Sequence, residues 1–155
     1  MIWWILKKLF KNLGRVTPEI YRSGQPGIFR LFVMLLIMRP KTRINLAYSP
    51  HLDEQDPREK KILDWLGIKY YAFAWGAAGP PNWSELDWVT NLIDSSEKPV
   101  WIGCEGGLDR TGGLIARWKQ CHGYQLEEIF LDWKYHGIPA WPWVEYLFIK
   151  KWENL

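Results

Sequence analysis

From position 100 to 113 the chain reads Val-Trp-Ile-Gly-Cys104-Glu-Gly-Gly-Leu-Asp-Arg110-Thr-Gly-Gly, a cysteine and an arginine with five residues between them. Backbone N–H groups of such a loop, together with the N-terminus of a helix behind it, converge on one point and favour negative charge there. Gly106 and Gly107 let the backbone close around a tetrahedral oxyanion, and with Glu105 and Leu108 they make up the substrate-binding turn. Arg110 adds a planar fork that takes two equatorial phosphate oxygens. The same positive field favours the thiolate of Cys104, the attacking form of a cysteine. Nucleophilic attack by sulfur on a bound oxyanion is the chemistry these residues point to.

Holding such a loop takes a strand before it and a helix after it. Residues 98–102 read as the strand, and the helix is expected from Thr111 to about His122. Upstream, 16–21, 43–48 and 68–73 read as further strands, and Ser23-Gly-Gln-Pro26 as a turn into a helix. Residues 29–38 are apolar almost all round, the pattern of a fully buried helix, and Pro40 ends it. A helix over 58–66 is stopped by Gly67, Asn82 caps another over 83–95, and helices over 126–136 and 142–152 close the chain. Residues 49–57 read as a polar loop and 76–81 as a loop of glycine, alanine and proline. Residues 2–13 place Ile2, Leu6, Leu9, Phe10 and Leu13 at helical spacing with Lys7, Lys8 and Lys11 between them, an amphipathic basic helix ended by Gly14. Strands alternating with helices predict an α/β fold: a single domain with a central, mostly parallel sheet and helices on both faces.

The run from Cys104 through Arg110 to Thr111 resembles the Cys-x5-Arg-Thr signature of cysteine-dependent protein tyrosine and dual-specificity phosphatases. Tyr21-Arg-Ser-Gly-Gln-Pro26 resembles a segment of the compact bacterial members, and Asn45-Leu46 with Leu66-Gly-Ile-Lys-Tyr70 resembles their strand–helix–strand lead-in, so that the likeness covers about residues 16–137. The resemblance implies a cysteine phosphatase domain over 16–155, preceded by the amphipathic helix over 1–15. It implies a two-step reaction in which Cys104 attacks phosphorus, a cysteinyl-phosphate forms and water hydrolyses it. No cofactor or metal is implied, because Arg110 and the loop amides supply the charge stabilisation. Thr111 matches the family's hydroxyl after the arginine, which helps stabilise the thiolate as a leaving group.

Two departures from the family pattern stand out. Gly103 occupies the place of the usual histidine, which orders the loop through hydrogen bonds. The segment Ala72-Phe-Ala-Trp-Gly-Ala-Ala-Gly-Pro-Pro81, where many members carry an acidic proton donor, holds no carboxylate. A departing oxygen still benefits from a proton. Asp109 is the nearest candidate for that role, with ordering of the loop as its other reading; Asp53, Glu54 and Asp56 are outsiders. The departures also raise an alternative, a catalytically weak phosphate-binding module. Trp75 is either a stacking wall for an aromatic phosphoester or a packed lid residue. Glu105 is expected to face solvent, Arg22 to pair with an acidic side chain, and Cys121 to be a buried, inert thiol. His51, His122 and His136 lack metal-ligand spacing.

Composition bounds the partners. The 155 residues carry 20 Lys and Arg against 17 Asp and Glu, a net charge of +3. That is too mild for a histone-like or polybasic nucleic-acid binder and leaves small anionic substrates open; the phosphatase resemblance implies a phosphorylated protein or a small phosphoester as substrate. Two cysteines make no disulfide framework, and Lys7 and Lys8 follow the apolar start instead of preceding it as in a secretory signal, so the expected compartment is the cytoplasm. The helix over 2–13, led by Trp3 and Trp4, is expected either to dock on the body or to make a peripheral contact with a membrane surface.

Overall fold

Runs of β-branched and aromatic residues pair into one five-stranded sheet. In this computed structural model, which describes residues 10–47, 57–76 and 82–149, the strands are β1 (Gly14–Thr17), β2 (Ile20–Gly24), β3 (Thr42–Asn45), β4 (Lys69–Ala72) and β5 (Val100–Cys104). Their spatial order is β1-β2-β5-β3-β4. β1 and β2 form an antiparallel hairpin, and every other neighbouring pair is parallel. β2, β3 and β5 are buried along their whole length, as parallel strands covered on both faces must be.

Successive side chains on a strand point to opposite faces, and this divides the interior in two. Ile20, Ile44, Val100 and Ile102 enter one core, which is closed by α3 (Trp83–Ser95), α4 (Asp109–Cys121), α5 (Leu126–His136), α6 (Trp141–Val144) and a π-helical turn, Glu145–Ile149. Tyr21 and Trp101 enter the other, beneath α1 (Ile28–Met38) and α2 (Pro57–Trp65), which contribute Leu31, Met34, Leu35, Met38 and Leu63. Each such side chain stabilises the fold by roughly 1.5–3 kcal/mol. Helix ends follow the local sequence. The Asn82 side chain accepts from the Glu85 N–H at 2.9 Å, and Gln125 with Glu128 forms a reciprocal capping box. The expected single α/β domain with helices on both faces is the one found. Among the described residues no helix is long and apolar enough to cross a membrane.

Several local expectations are corrected. The strand expected over 16–21 is a hairpin, because Pro18 and Glu19 turn the chain; the Thr17 hydroxyl accepts from the Glu19 N–H at 3.2 Å. Gly14 opens β1 and caps no helix. A Cβ there would lie 2.3 Å from the His136 ring, so with glycine β1 passes the end of α5 without displacing that side chain. Residues 10–13 form a bend and a turn, and the rest of the helix expected over 2–13 lies outside the described residues. So do most of the loops expected over 49–57 and 76–81, with His51, Asp53, Glu54 and Asp56. α1 is not buried all round. It is an outer-layer helix with one face on the sheet, which leaves Phe29 86% and Leu36 75% exposed with Phe32, Val33 and Ile37 beside them. Cys121 is exposed, because it ends α4 where the helix reaches the surface. α4 itself starts at Asp109, two residues before the expected Thr111.

Candidate active site

Parallel pairing brings the C-terminal ends of β2, β5 and β3 to one edge, with Gly24 opposite Cys104 and both Ser23 and Asn45 opposite Gly103. Cys104 is the last residue of β5, 2% exposed, and α4 begins five residues later. The turn between them is shaped from outside. Its three successive carbonyls are each held by a donor from the N-terminal part of the chain. The Gln25 N–H donates to Glu105 O at 3.0 Å, the Asn12 side-chain amide to Gly106 O at 2.9 Å, and the Arg22 guanidinium to Gly107 O at 2.8 Å. In a trans peptide the N–H points away from the preceding C=O. With these carbonyls pinned outward, the N–H groups of Gly106, Gly107 and Leu108 face the concave side and form a nest for an anion.

The glycines differ in what they do. Gly107 has φ +67°, and a Cβ there would lie 2.4 Å from the Gly24 nitrogen, so the turn packs directly on the end of β2. At Gly106 a Cβ would meet nothing within 4 Å, so the packing of the turn on its protein neighbours demands glycine at 107 and not at 106. Leu108 lies with its side chain against Gly137, so what it can offer a substrate is its backbone.

Two arginines flank the nest. Arg110 is 9% exposed; one terminal nitrogen donates to the Trp75 carbonyl at 3.1 Å and the other lies 3.6 Å from the Glu105 carboxylate. Glu105 itself is exposed, as expected. The Nε of Arg110 and the hydroxyl of Thr111 are buried without a hydrogen-bond partner among the described residues. A buried donor without a partner is costly, and an oxyanion and a thiolate at this turn are groups that could accept from them. Arg22 is fully buried and, as expected, pairs with a carboxylate: Asp132 on α5 at 2.5 Å. Burial pulls the Arg22 pKa below its ordinary value, against the opposing pull of Asp132 and then of Cys104. The charge of an arginine survives such shifts, so Arg22 is a permanent cation behind the turn.

The carboxylate of Asp109 accepts the Ala140 N–H at 2.5 Å and ties the start of α4 to the segment joining α5 and α6. Trp75 proves to be a packed residue. Its ring is buried near Trp143 and Phe73, its indole N–H donates to Glu85 at 2.7 Å, and its carbonyl orients Arg110. At Gly103 a Cβ would sit 2.8 Å from the Ser23 carbonyl and 3.0 Å from the guanidinium of Arg43. Cys104, Arg110 and Thr111 lie in one strand–turn–helix unit, whereas the contributions of Asn12, Arg43, Asp132 and the Trp75 carbonyl carried no signal that the sequence analysis picked up.

No family model matches the chain. Among curated proteins it is similar to inositol diphosphatase DSP3 of Arabidopsis thaliana, 27% identical over 135 residues, which cover 84% of this chain and 64% of that protein. Inositol diphosphatase DSP5 of the same plant is 26% identical over 93% of this chain and 71% of its own length. Inositol diphosphatase SIW14 of Saccharomyces cerevisiae is 26% identical over 93% of this chain and 52% of its own. The chain thus spans between about half and seven-tenths of the length of these curated relatives. Among solved structures, Tk-PTP in its active form superposes with a TM-score of 0.73 at 18% identity, over 92% of this chain and 97% of that one. The core catalytic domain of the PP-IP phosphatase SIW14 from S. cerevisiae, in complex with citrate, gives 0.73 at 22% identity over 92% and 91%. P. aeruginosa TpbA gives 0.69 at 20% over 88% and 83%. At these identities the solved structures speak for the fold alone. In sequence the chain is similar to these inositol diphosphatases, in fold to these phosphatases, and its Cys104-to-Thr111 turn resembles the Cys-x5-Arg-Thr signature of the cysteine-dependent protein tyrosine and dual-specificity phosphatases.

Proposed function

We propose that the chain is a phosphatase that works through a cysteinyl-phosphate and prefers substrates whose leaving group departs without a proton, such as the diphosphate group of a small, highly charged molecule. In the first step the Cys104 sulfur forms a bond to phosphorus while the bond to the leaving oxygen breaks, its electron pair going with the leaving group. Water then attacks the same phosphorus, the P–S bond breaks, and inorganic phosphate and the thiolate are released. The inward N–H groups and Arg110 stabilise the charge on the equatorial oxygens in both steps.

The observation that carries the preference is the engagement of Asp109. Its carboxylate accepts the Ala140 N–H and is committed to tying the start of α4 to the segment joining α5 and α6, so it serves the fold there and not a departing oxygen. Residues 72–81 offer no carboxylate in its place. A tyrosine oxygen has a pKa of about 10, whereas a leaving phosphate has one near 6. The second needs little help. The names of the curated relatives, inositol diphosphatases, agree with this reading. A phosphotyrosine substrate is the second reading, favoured by the likeness to TpbA, a C-to-S variant of which was solved in complex with pTyr at a TM-score of 0.64.

Phosphate release from an inositol diphosphate, an aryl monophosphate and a phosphotyrosyl peptide distinguishes the two. The diphosphate is expected to show a kcat/KM at least about tenfold above the peptide, the equivalent of about 1.4 kcal/mol in the barrier. The reverse order would overturn the preference, and no turnover of any of the three would leave the phosphate-binding module.

A further inference from the structure

The position ahead of the nucleophile has no side chain, and the space is taken by a cation from the neighbouring strand. Arg43 on β3 is fully buried, and its terminal nitrogens lie 3.0 and 3.3 Å from where a Gly103 Cβ would be. Every nitrogen of the guanidinium has an acceptor. Nε donates to Glu59 at 3.1 Å, one terminal nitrogen to the Ile44 carbonyl at 2.7 Å, and the other to the Gln25 side-chain oxygen at 3.2 Å. The central carbon of the group lies over the Trp101 ring, 4.1 Å from the centroid. Gln25 also donates to Glu59, so the three side chains close a ring of contacts. The backbone N–H of the same Gln25 holds Glu105 O, the first pinned carbonyl of the anion-binding turn.

A buried charge is costly unless it is paired and fully hydrogen-bonded, and an apolar residue at a buried strand position is the usual economy. Here the cation stands directly behind the residue preceding Cys104. The geometry points to Arg43 as a positioning residue of the turn: from the space left by Gly103 it fixes Gln25, and through Gln25 it fixes the outward direction of the Glu105 carbonyl. Arg43 touches no substrate. Its effect is on how well the N–H groups converge. This inference rests on the phosphatase reading for its consequence in turnover, but its consequence for anion binding stands apart.

The test is a cycle of Arg43→Met, Gln25→Leu and the double variant, with Arg30→Met on the exposed face of α1 as control. Vanadate affinity is measured by calorimetry, aryl phosphate turnover by steady-state kinetics, and cooperative unfolding by circular dichroism, all well below the unfolding midpoint. A displacement of about 1 Å in a catalytic array can cost about 10²-fold. Arg43→Met is expected to weaken vanadate binding by about tenfold or more and to lower kcat, with Arg30→Met unchanged. Gln25→Leu should reproduce most of the loss, and the double variant should lose little more, because the two side chains act in series. Losses that simply add, or an Arg43→Met protein that is folded and within about threefold of the parent in vanadate affinity, would overturn the assignment. Should Arg43→Met fail to fold, Gln25→Leu decides: vanadate affinity within about threefold of the parent overturns it, a tenfold loss supports it. A parent that binds vanadate without turning over any phosphoester refutes the phosphatase reading and leaves this inference testable by binding. A parent that binds no vanadate overturns both.

Discussion

Replacing Asp109 separates tethering from proton donation, because asparagine and alanine remove different things. The amide oxygen of Asp109→Asn still accepts the Ala140 N–H, so the tether stays while the ionisable proton goes. Asp109→Ala removes both. A hydrogen bond from a backbone N–H to a charged acceptor is worth about 1.5–3 kcal/mol. For a domain of this size each kcal/mol moves the unfolding midpoint by about 2–4 °C, so Asp109→Ala is expected to lower it by about 3–12 °C and Asp109→Asn by clearly less. Kinetics are read across a series of aryl phosphates running from nitrophenol to unsubstituted phenol as leaving group. With the carboxylate serving as a tether, Asp109→Asn slows every member by a similar factor of about five or less, the equivalent of a loop shift costing about 1 kcal/mol. With the carboxyl serving as the acid, phenyl phosphate would slow by about 10²–10⁴-fold while nitrophenyl phosphate is spared, and the basic limb of the pH–rate profile would vanish. That second outcome would refute the tether, and with it the ground for preferring a diphosphate.

Two further expectations concern the turn. Cys104→Ser should abolish turnover yet keep vanadate or phosphate affinity within about tenfold, since the N–H groups and Arg110 remain; residual turnover within tenfold of the parent would remove the covalent step. Gly107→Ala should destabilise the fold by more than the roughly 1–2 kcal/mol of the left-handed conformation, because the added carbon meets the backbone of Gly24, whereas Gly106→Ala should be tolerated. Equal urea midpoints for the two variants would contradict the packing described for the turn.

The part of the site that could be read in advance is the part that is local in the chain. Cys104, the glycines, Arg110 and Thr111 lie within one strand–turn–helix unit, and their spacing alone carries their chemistry. The supports come from afar. Asp132 meets Arg22 across 110 residues and Asn12 meets Gly106 across 94, and neither distance leaves a periodic signal. The contribution of Trp75 is a carbonyl, which any residue would provide. Arg43 did leave a trace, a charge in the middle of a strand that should be apolar on both faces, set against a missing side chain at Gly103. Misreading α1 has a different origin. Its residues are nearly all apolar, so hydropathy could not tell which face meets the sheet; only Leu31, Met34, Leu35 and Met38 do.

The pinning of the turn by distant donors also bears on the order in which the molecule assembles. The bonds to Gly106 O and Gly107 O close loops of 94 and 85 residues. Contacts so far apart in sequence are slow to form and are lost whenever the chain opens. A fragment or intermediate that has built only β5 and α4 would own the nucleophile and Arg110 yet lack the outward-held carbonyls, and so would present no nest. Oxyanion affinity is therefore a property of the completed chain. An oxyanion ligand stabilises the native state by mass action. Because the nest is missing until these long loops close, that stabilisation falls on the rate of unfolding, while refolding proceeds as it would without the ligand.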